Sequence, residues 1–207
     1  MNNPQTATRT QRRTADLRRR LVEIAENLLV ADGPKAVTAE EVARQADVSL
    51  QTVYNRVGGR PALLLAIAER AMEENRRYID QAYEAPGTAE ERGRNVCLAY
   101  VRFALERPQP FRILANPPEE PEAVARIAAM AAEQNARQAA IIRDGIAEGS
   151  VNPGLDPDAA ANAIWGMLNG LLLLALREDG LRPASVTPAS LVQTAIAMVE
   201  FGLRRRA

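Results

Sequence analysis

Residues 38–57 read TAEEVARQADVSLQTVYNRV, and this stretch predicts two short helices joined by a tight turn. Thr38 is a suitable N-cap, and Glu41 stands three positions later, where its carboxylate can return to the cap's backbone N–H. Asp47 falls at the turn, because a short polar side chain tolerates the left-handed backbone conformation better than most residues do. Ser49 offers its hydroxyl to cap the second helix. The pattern is therefore typical of a helix-turn-helix.

The two short helices each have an inner and an outer face. The apolar side chains at helical spacing, which predict the inner face, are Val42, Ala43, Ala46, Val53 and Val57, with Val48 at the corner. The outer side of the second helix carries Leu50, Gln51, Thr52, Tyr54 and Asn55. Amide, hydroxyl and phenol groups without a carboxylate suit base edges and phosphates. The alternative is an ordinary helical hairpin with a polar outside.

Longer helices are predicted on both sides of this hairpin. The preceding helix has one apolar stripe, formed by Leu17, Leu21, Ile24, Ala25, Leu28 and Leu29. Gly33 ends it and Pro34 prevents its continuation. After the hairpin, Gly58 and Gly59 break the chain, and Pro61 suits the first turn of a helix that continues to about Glu84.

This order of elements resembles the N-terminal domain of the tetracycline-repressor (TetR) family of transcription regulators. The matching segments are Leu21 to Gly33, Thr38 to Ala43, Val48-Ser49, Thr52 to Tyr54, and Gly58-Gly59-Arg60 before Ala62-Leu63-Leu64. The chain departs from the family at Asp47, where Gly is usual, at Val57, where an aromatic residue is usual, and at Arg60, where Lys is usual. These replacements preserve the turn at Asp47, the apolar contact at Val57 and the positive charge at Arg60. The resemblance covers about the first third of the chain.

Composition limits the classes of protein to which the chain can belong. Of its 207 residues, 47% are hydrophobic and 25% are charged, which fits a folded globular protein. A lone cysteine, Cys97, excludes an intramolecular disulfide and fits a reducing cytoplasm. The N-terminus shows no signal peptide, and the most apolar run, Ile164 to Leu176, is too short to span a bilayer. We therefore expect a soluble cytoplasmic protein with no membrane partner.

The net charge is zero, but the charge is unevenly distributed. Residues 1–20 contain six arginines and one acidic residue, Asp16. Residues 1–13 are predicted to form a flexible basic arm. In the free protein this arm is a solvated tail, and on DNA we expect Arg12, Arg13 and Arg18 to act electrostatically along phosphates or in a minor groove.

Beyond the hairpin, the sequence predicts only helices. We expect residues 14–60 to form the DNA-binding domain and residues 61–207 to hold a connecting helix and an effector-binding and dimerisation domain. Helices in the body are predicted for Ala89–Arg107, Phe111–Ala115, Glu122–Glu148, Pro157–Glu178 and Pro188–Arg205, separated by proline-rich breaks. The predicted fold class is all-α, with a three-helix N-terminal domain.

The last two predicted helices are the most apolar. Their apolar positions are Leu168, Leu171, Leu172, Ala175, Leu191, Ala195, Met198, Val199 and Leu203. In a monomer these would leave large uncovered faces, so we expect a homodimer that buries them in a four-helix bundle across a two-fold axis. The alternative is that these faces fill the core of a single chain.

The body has a second likeness to TetR regulators. PFRILANPP at residues 110–118 and WGMLNG at residues 165–170 are similar to segments of a C-terminal domain found in many members. Asn169 stands where that domain has His, which removes a titratable group and argues against a pH-linked role there. A ligand pocket among the central helices would use aromatic, sulfur and amide side chains. The candidates are Tyr100, Phe103, Phe111, Met130, Asn135, Trp165 and Asn169.

Catalysis has little support in the sequence. The chain contains no histidine, so Ser-His-Asp, Cys-His and His-based metal sites are excluded, and one cysteine cannot build a thiolate metal site. No glycine-rich phosphate-binding motif is present. We expect neither an enzyme nor a bound cofactor or metal.

These observations together predict a TetR-like repressor that binds a palindromic double-stranded DNA operator as a homodimer and is released by a small-molecule effector. The residues that we expect at the DNA are Thr38, Arg44, Ser49, Gln51, Thr52, Tyr54, Asn55 and Arg60, with Gln51, Thr52 and Asn55 facing bases. The alternative is an all-helical protein that binds a small molecule or a partner without specific DNA binding.

Overall fold

In the computed structural model, which describes residues 9–205, the chain is built from α-helices. Their bounds are α1 Arg9–Asp32, α2 Ala39–Ala46, α3 Leu50–Arg56, α4 Arg60–Glu84, α5 Ala89–Glu106, α6 Pro108–Ala115, α7 Pro121–Glu148, α8 Pro157–Ala175 and α9 Pro188–Leu203. A short 3-10 turn, Pro34–Ala36, follows α1. Over residues 9–205 the only strand-like pairing is one bridge between Val151 and Arg204. The predicted all-α fold is confirmed.

Capping residues and prolines set most helix starts. Thr88 caps α5 with a complete capping box, since its hydroxyl accepts from the Glu91 N–H and the Glu91 carboxylate accepts from the Thr88 N–H at 2.9 Å. Asp156 caps α8 and Thr187 caps α9, each followed by a proline in the first turn. These signals are local, and the predicted body helices therefore fall within a few residues of the observed bounds.

The beginning of the chain differs from the predicted arm. Residues 1–8 lie outside the described residues, and residues 9–13, which the prediction assigned to the arm, form the first turns of α1. Arg12, Arg13 and Arg18 are exposed on this helix. Arginine and glutamine are good helix formers, and no glycine or proline intervenes before Gly33, so the helix extends toward the N-terminus.

The described residues divide into two compact units. The first comprises the residues up to Arg70 together with Pro118–Arg126. In it, α1, α2 and α3 pack on one another around Leu21, Val42 and Val53, which have no exposed surface. An ion pair between Arg70 Nε and Glu26 at 3.0 Å lies beside this core.

The second unit comprises Ala71–Pro117 and Ile127–Ala207. Its core contains an aromatic cluster on α4, α5 and α6, in which Tyr78 meets Phe103 edge-on at 5.5 Å and Tyr100 meets Phe111 edge-on at 6.0 Å. Helix α4 continues across the boundary between the two units. The division predicted at residue 60 stays a prediction.

Helix α8 begins at Pro157 as predicted and ends three residues before the predicted Glu178, but its apolar stretch is longer than the run from Ile164 to Leu176. By length and composition alone, this 19-residue helix could cross a membrane, and it is the one such helix among residues 9–205. A core helix of a soluble protein meets the same criterion. The run Ile164 to Leu176 understates the apolar length, because the alanines and Pro157 upstream belong to the same helix.

The turn between α2 and α3 depends on Asp47. This residue adopts φ 54° and ψ 51°, and it is the one non-glycine residue with positive φ in the described range. Its N–H donates to the Arg44 carbonyl at 3.4 Å, at the end of α2. The predicted left-handed turn is confirmed.

We expect Asp47→Val to lower the free energy of unfolding by about 1–3 kcal/mol, because a β-branched residue is strained at positive φ. Asp47→Gly is the control and should stay within about 1 kcal/mol of the wild type, since glycine adopts this conformation without strain. Urea denaturation followed by circular dichroism measures both values. Equal stabilities of the two variants would show that the turn conformation is not what Asp47 provides.

Candidate nucleic-acid interface and ligand cavities

Helix α3 is short, and its start and its buried side hold it in place. The Ser49 hydroxyl accepts a hydrogen bond from the Thr52 N–H at 3.1 Å, as predicted, and the two hydroxyls lie 2.8 Å apart. Val53 is fully buried, whereas Val57 and Val48 are half-buried. A seven-residue helix is not stable alone, so these contacts fix its orientation.

The opposite side of α3 is open to solvent. Gln51, Tyr54 and Asn55 are exposed, and about half of the Tyr54 surface is accessible. The Gln51 side-chain amide donates to the Asn55 carbonyl oxygen at 2.9 Å, which joins the two amides along the helix surface. Thr52 is half-buried and is the least accessible of the predicted base-facing residues.

Thr38 and Arg44, two of the predicted DNA contacts at α2, already form hydrogen bonds within the chain. The Thr38 hydroxyl accepts from the Glu41 N–H at 3.1 Å, but Glu41 does not return to the Thr38 backbone, so the predicted capping box is only half formed. The Glu41 carboxylate accepts instead from Arg44 Nε and from Gln45, each at 2.8 Å. The bond from Arg44 is the main cause that lowers the pKa of Glu41 to about 2. Arg44 therefore carries an ion pair on the exposed side of α2.

Arg60 is the first residue of α4. Its guanidinium donates to the Pro34 carbonyl at 3.0 Å, and the side chain remains exposed. Just before it, Gly58 adopts φ +118°, and a Cβ there would lie 2.7 Å from the Ala62 Cβ. Only glycine fits this position, which sets the start of α4 and the place of Arg60.

We expect Arg60→Ala to weaken binding to operator and random DNA alike and to reduce the slope of log K against log salt by about 1, as for one lost phosphate contact. Lys35→Ala serves as a control, because Lys35 is an exposed cation on the neighbouring 3-10 turn that is outside the predicted DNA set. Fluorescence anisotropy over a range of salt concentrations measures the slopes. An unchanged slope for Arg60→Ala would remove this residue from the phosphate contacts.

The predicted ligand residues are brought only partly together. Tyr100, Asn135 and Trp165 line a cavity of about 40 Å³, which we call the central cavity. Asn169 adjoins it, because the Tyr100 hydroxyl donates to its side-chain oxygen at 2.6 Å. Burial raises the pKa of Tyr100.

The other predicted ligand residues occupy the core. Phe103 and Phe111 have no exposed surface, Met130 is buried, and none of the three lines a described cavity. Aromatic and sulfur side chains at helical spacing are compatible with a core or with a pocket. In this chain, these three pack in the core. Two amides outside the predicted ligand set, Gln134 and Gln138 on α7, do line the central cavity.

A larger cavity of about 60 Å³ lies elsewhere in the second unit, and we call it the C-terminal cavity. Its wall is formed by α5, α7, α8, α9 and the segment between α7 and α8, and it includes Gly93, Ile141, Val151, Ile164, Ile196 and Leu203. The Asn152 N–H donates to the Leu203 carbonyl at 2.9 Å, which ties that segment to the end of α9. No sequence motif indicated this cavity, because its wall is assembled from residues more than 100 positions apart.

The apolar surface of α8 and α9 is arranged differently from the prediction. Leu168, Leu172 and Ala175 are buried inside the chain and cannot form a dimer face. The most exposed large apolar side chains on these two helices are Met167, Met198 and Phe201, with 55%, 70% and 74% of their surface accessible. Beside them, Gly166, Gly170 and Gly202 leave open space, since an added Cβ would meet nothing within 4 Å. We call these six residues the α8–α9 face.

The comparison with known proteins agrees with this architecture. Residues 86–173 match the family described as Tetracyclin repressor-like, C-terminal domain. A regulatory protein of the tetR family from Rhodococcus RHA1 shares 25% identity and a TM-score of 0.71, over 91% of this chain and 98% of that one. Residues 86–173 are thus a TetR-type C-terminal domain, and most of the chain shares the fold of TetR regulators. Among curated proteins, no significant match is found.

Two further solved structures share the TetR fold with lower identity. SCO3833 of Streptomyces coelicolor A3, a TetR regulator, is 24% identical with a TM-score of 0.67, over 89% of this chain and 91% of that one. AibR, solved with isovaleryl coenzyme A and operator DNA, is 18% identical with a TM-score of 0.74, over 90% of this chain and 99% of that one. In the present chain, residues 9–205 contain no cluster of three or more His, Cys, Asp or Glu side chains that could hold a metal ion.

Proposed function

We propose that this TetR-family protein is a homodimeric transcriptional repressor that binds a palindromic operator and is released by a small molecule. The observation that carries the proposal is the exposed face of α3. Gln51, Tyr54 and Asn55 point away from a helix whose other side is fixed by the Ser49 cap and by the buried Val53. A rigid helix with uncharged amides on its outer surface is suited to bidentate contacts with adenine in the major groove.

Contacts to phosphate would come from the surroundings of α3. Ser49 and Tyr54 offer hydroxyl groups, and Arg60 offers a guanidinium at the start of α4. Thr38 would add its backbone at the start of α2, because its hydroxyl already caps that helix. Arg44 would contact phosphate only by giving up part of its pairing with Glu41, so we rank it below Arg60.

The homodimer is supported by the α8–α9 face. Phe201 and Met198 are among the most exposed large apolar side chains of the described chain, and glycines beside them permit close approach of a second helix pair. A second copy related by a two-fold axis would cover this face and duplicate α3. A palindromic operator, whose two half-sites lie about one helical turn apart, requires two recognition helices.

Release by a small molecule would follow from the cavities of the second unit. A ligand that binds one conformation better than another shifts the population toward it. Helix α4 is continuous from Arg60 to Glu84, so a change in its body portion can be passed to the end that carries Arg60. A displacement of a few Å is enough to spoil the fit to grooves roughly 34 Å apart. The site of action would be the cytoplasm, where the DNA lies.

A gel-shift with the DNA that flanks the protein's own gene tests this proposal. A discrete complex that survives excess random DNA is the expected result, and footprinting should then show an inverted repeat. Binding equally well to any duplex, or to none, would contradict the proposal and favour an all-helical ligand-binding or partner-binding protein instead.

A further inference from the structure

Two glutamines on α7, Gln138 buried and Gln134 half-buried, lie one turn apart at the cavities. Gln134 and Gln138 are four residues apart, so they share one face of the helix at a rise of about 6 Å. Gln138 is buried, and its side-chain oxygen accepts no hydrogen bond from any group in residues 9–205. The Gln134 side-chain nitrogen likewise donates to no described group, while its oxygen accepts from Asn75 at 3.2 Å. One unmet acceptor and one unmet donor therefore stand a turn apart.

The two cavities meet at Gln138. Its side chain lines both the central and the C-terminal cavity. The other two residues that line both cavities are Cys97 and Ile164. Burial raises the pKa of the Cys97 thiol to about 11, so the group is uncharged at neutral pH. A molecule longer than either cavity would have to pass this point, and it would bring its middle part opposite the two glutamines.

The walls of the two cavities disfavour a charged ligand. No acidic or basic side chain lines the central cavity. The C-terminal cavity has four charged residues in its wall, and they are paired, Arg94 with Glu200 at 3.2 Å and Arg204 with Glu90 at 3.0 Å. A charged ligand would lose its hydration without gaining an unpaired partner, which is costly.

From these observations we infer that the effector is an elongated, uncharged, mainly apolar molecule with a secondary amide near its middle. The carbonyl and the N–H of a trans amide point in opposite directions. Lying along α7, the amide would accept from Gln134 and donate to Gln138, while its two apolar arms occupy the two cavities. The inference rests on the proposed function, since it names the chemical class to which the regulator would respond.

The test uses three probes of equal size: N-butylpentanamide, its ester analogue butyl pentanoate, and nonanoate. Trp165 is the single tryptophan of the chain and lines the central cavity, so its fluorescence reports binding without DNA. We expect the amide to bind about tenfold more tightly than the ester, because only the amide supplies a donor to the buried Gln138 oxygen. Nonanoate should bind more weakly than both.

Three variants make the test specific. Gln138→Leu should reduce the preference for the amide to less than about twofold, whereas Gln81→Leu, the same change at an exposed position of α4, should preserve it. Val199→Phe narrows the C-terminal cavity and leaves the central cavity unchanged. It should weaken the binding of N-butylpentanamide by about fivefold or more. Thermal melts establish that each variant is folded.

The inference is overturned if amide and ester bind equally to the wild type, if nonanoate binds best, if the preference survives in folded Gln138→Leu, or if none of the probes binds. An unchanged affinity in Val199→Phe overturns the placement of an arm in the C-terminal cavity. Failure of the gel-shift would instead refute the proposed function, because these titrations contain no DNA.

Discussion

Replacing both Gln51 and Asn55 by alanine is expected to weaken specific operator binding by several kcal/mol and to leave binding to random DNA nearly unchanged. Each amide can make a bidentate contact with a base, and such a contact contributes about 1–3 kcal/mol of discrimination. Both side chains are exposed in the free chain, so their removal does not disturb the core. Competition titrations with operator and random duplexes give the two affinities.

The single variants add a further expectation. Because the Gln51 amide donates to Asn55 at 2.9 Å, the two positions hold each other's rotamers, and their effects should not be additive. A double-mutant cycle should show a coupling of about 0.5 kcal/mol or more. Gln45→Ala is the matched control, since Gln45 is an exposed amide on α2 outside the predicted DNA set. Equal losses on operator and random DNA would argue against base reading by α3.

Phe201→Asp is expected to convert the proposed homodimer into monomers at micromolar concentration. The Phe201 side chain is 74% exposed in the single chain and would be central to the α8–α9 face, where an unpaired carboxylate cannot be buried. Operator affinity should fall by on the order of 10²-fold, because two linked heads become two independent ones. Analytical ultracentrifugation and operator titrations measure the two effects.

Leu105→Asp is the control for this change. Leu105 is 43% exposed on α5, so the same substitution adds a charge to an exposed apolar position outside the α8–α9 face. This variant should remain dimeric and bind the operator normally. A dimeric Phe201→Asp, or dissociation of both variants alike, would refute the α8–α9 face as the interface.

Local signals made most of the fold predictable. Ser49 and Asp47 act on the backbone within three residues, and the structure has both in the predicted role. Thr88 caps α5 over the same short distance. Glu41 shows where such reasoning fails. Its carboxylate accepts hydrogen bonds from Arg44 and Gln45 on its own helix and not from the Thr38 backbone N–H. A capping box therefore depends on the side chains one turn further along the helix as well as on the cap itself.

The exposed side of α8 could not be predicted from its sequence. Leucines occur all around this helix, so periodicity did not separate Leu168, which is buried, from Met167, which is not. The informative residues were the glycines, Gly166 and Gly170, which mark the open side because nothing else in the described chain covers them. Small residues carry little hydrophobic signal, and the prediction placed the face on the larger side chains.

The cavities lay further beyond sequence reasoning. Polar residues on a long helix usually form its solvated side, and the sequence pattern therefore gives no reason to place Gln134 and Gln138 in a pocket. Asn75 on α4, 59 positions earlier in the chain, donates to the Gln134 side-chain oxygen and partly covers that residue. Contacts between distant segments of this kind have no local pattern that would reveal them.

The spacing of the operator half-sites tests directly whether two α3 helices, related by the two-fold axis of the proposed dimer, read one face of a single duplex. Inserting five base pairs between the half-sites turns them to opposite faces of the DNA. We expect operator affinity to fall by on the order of 10²-fold, with partial recovery when the insertion is ten base pairs. Unchanged affinity with the five-base-pair insertion would contradict this arrangement.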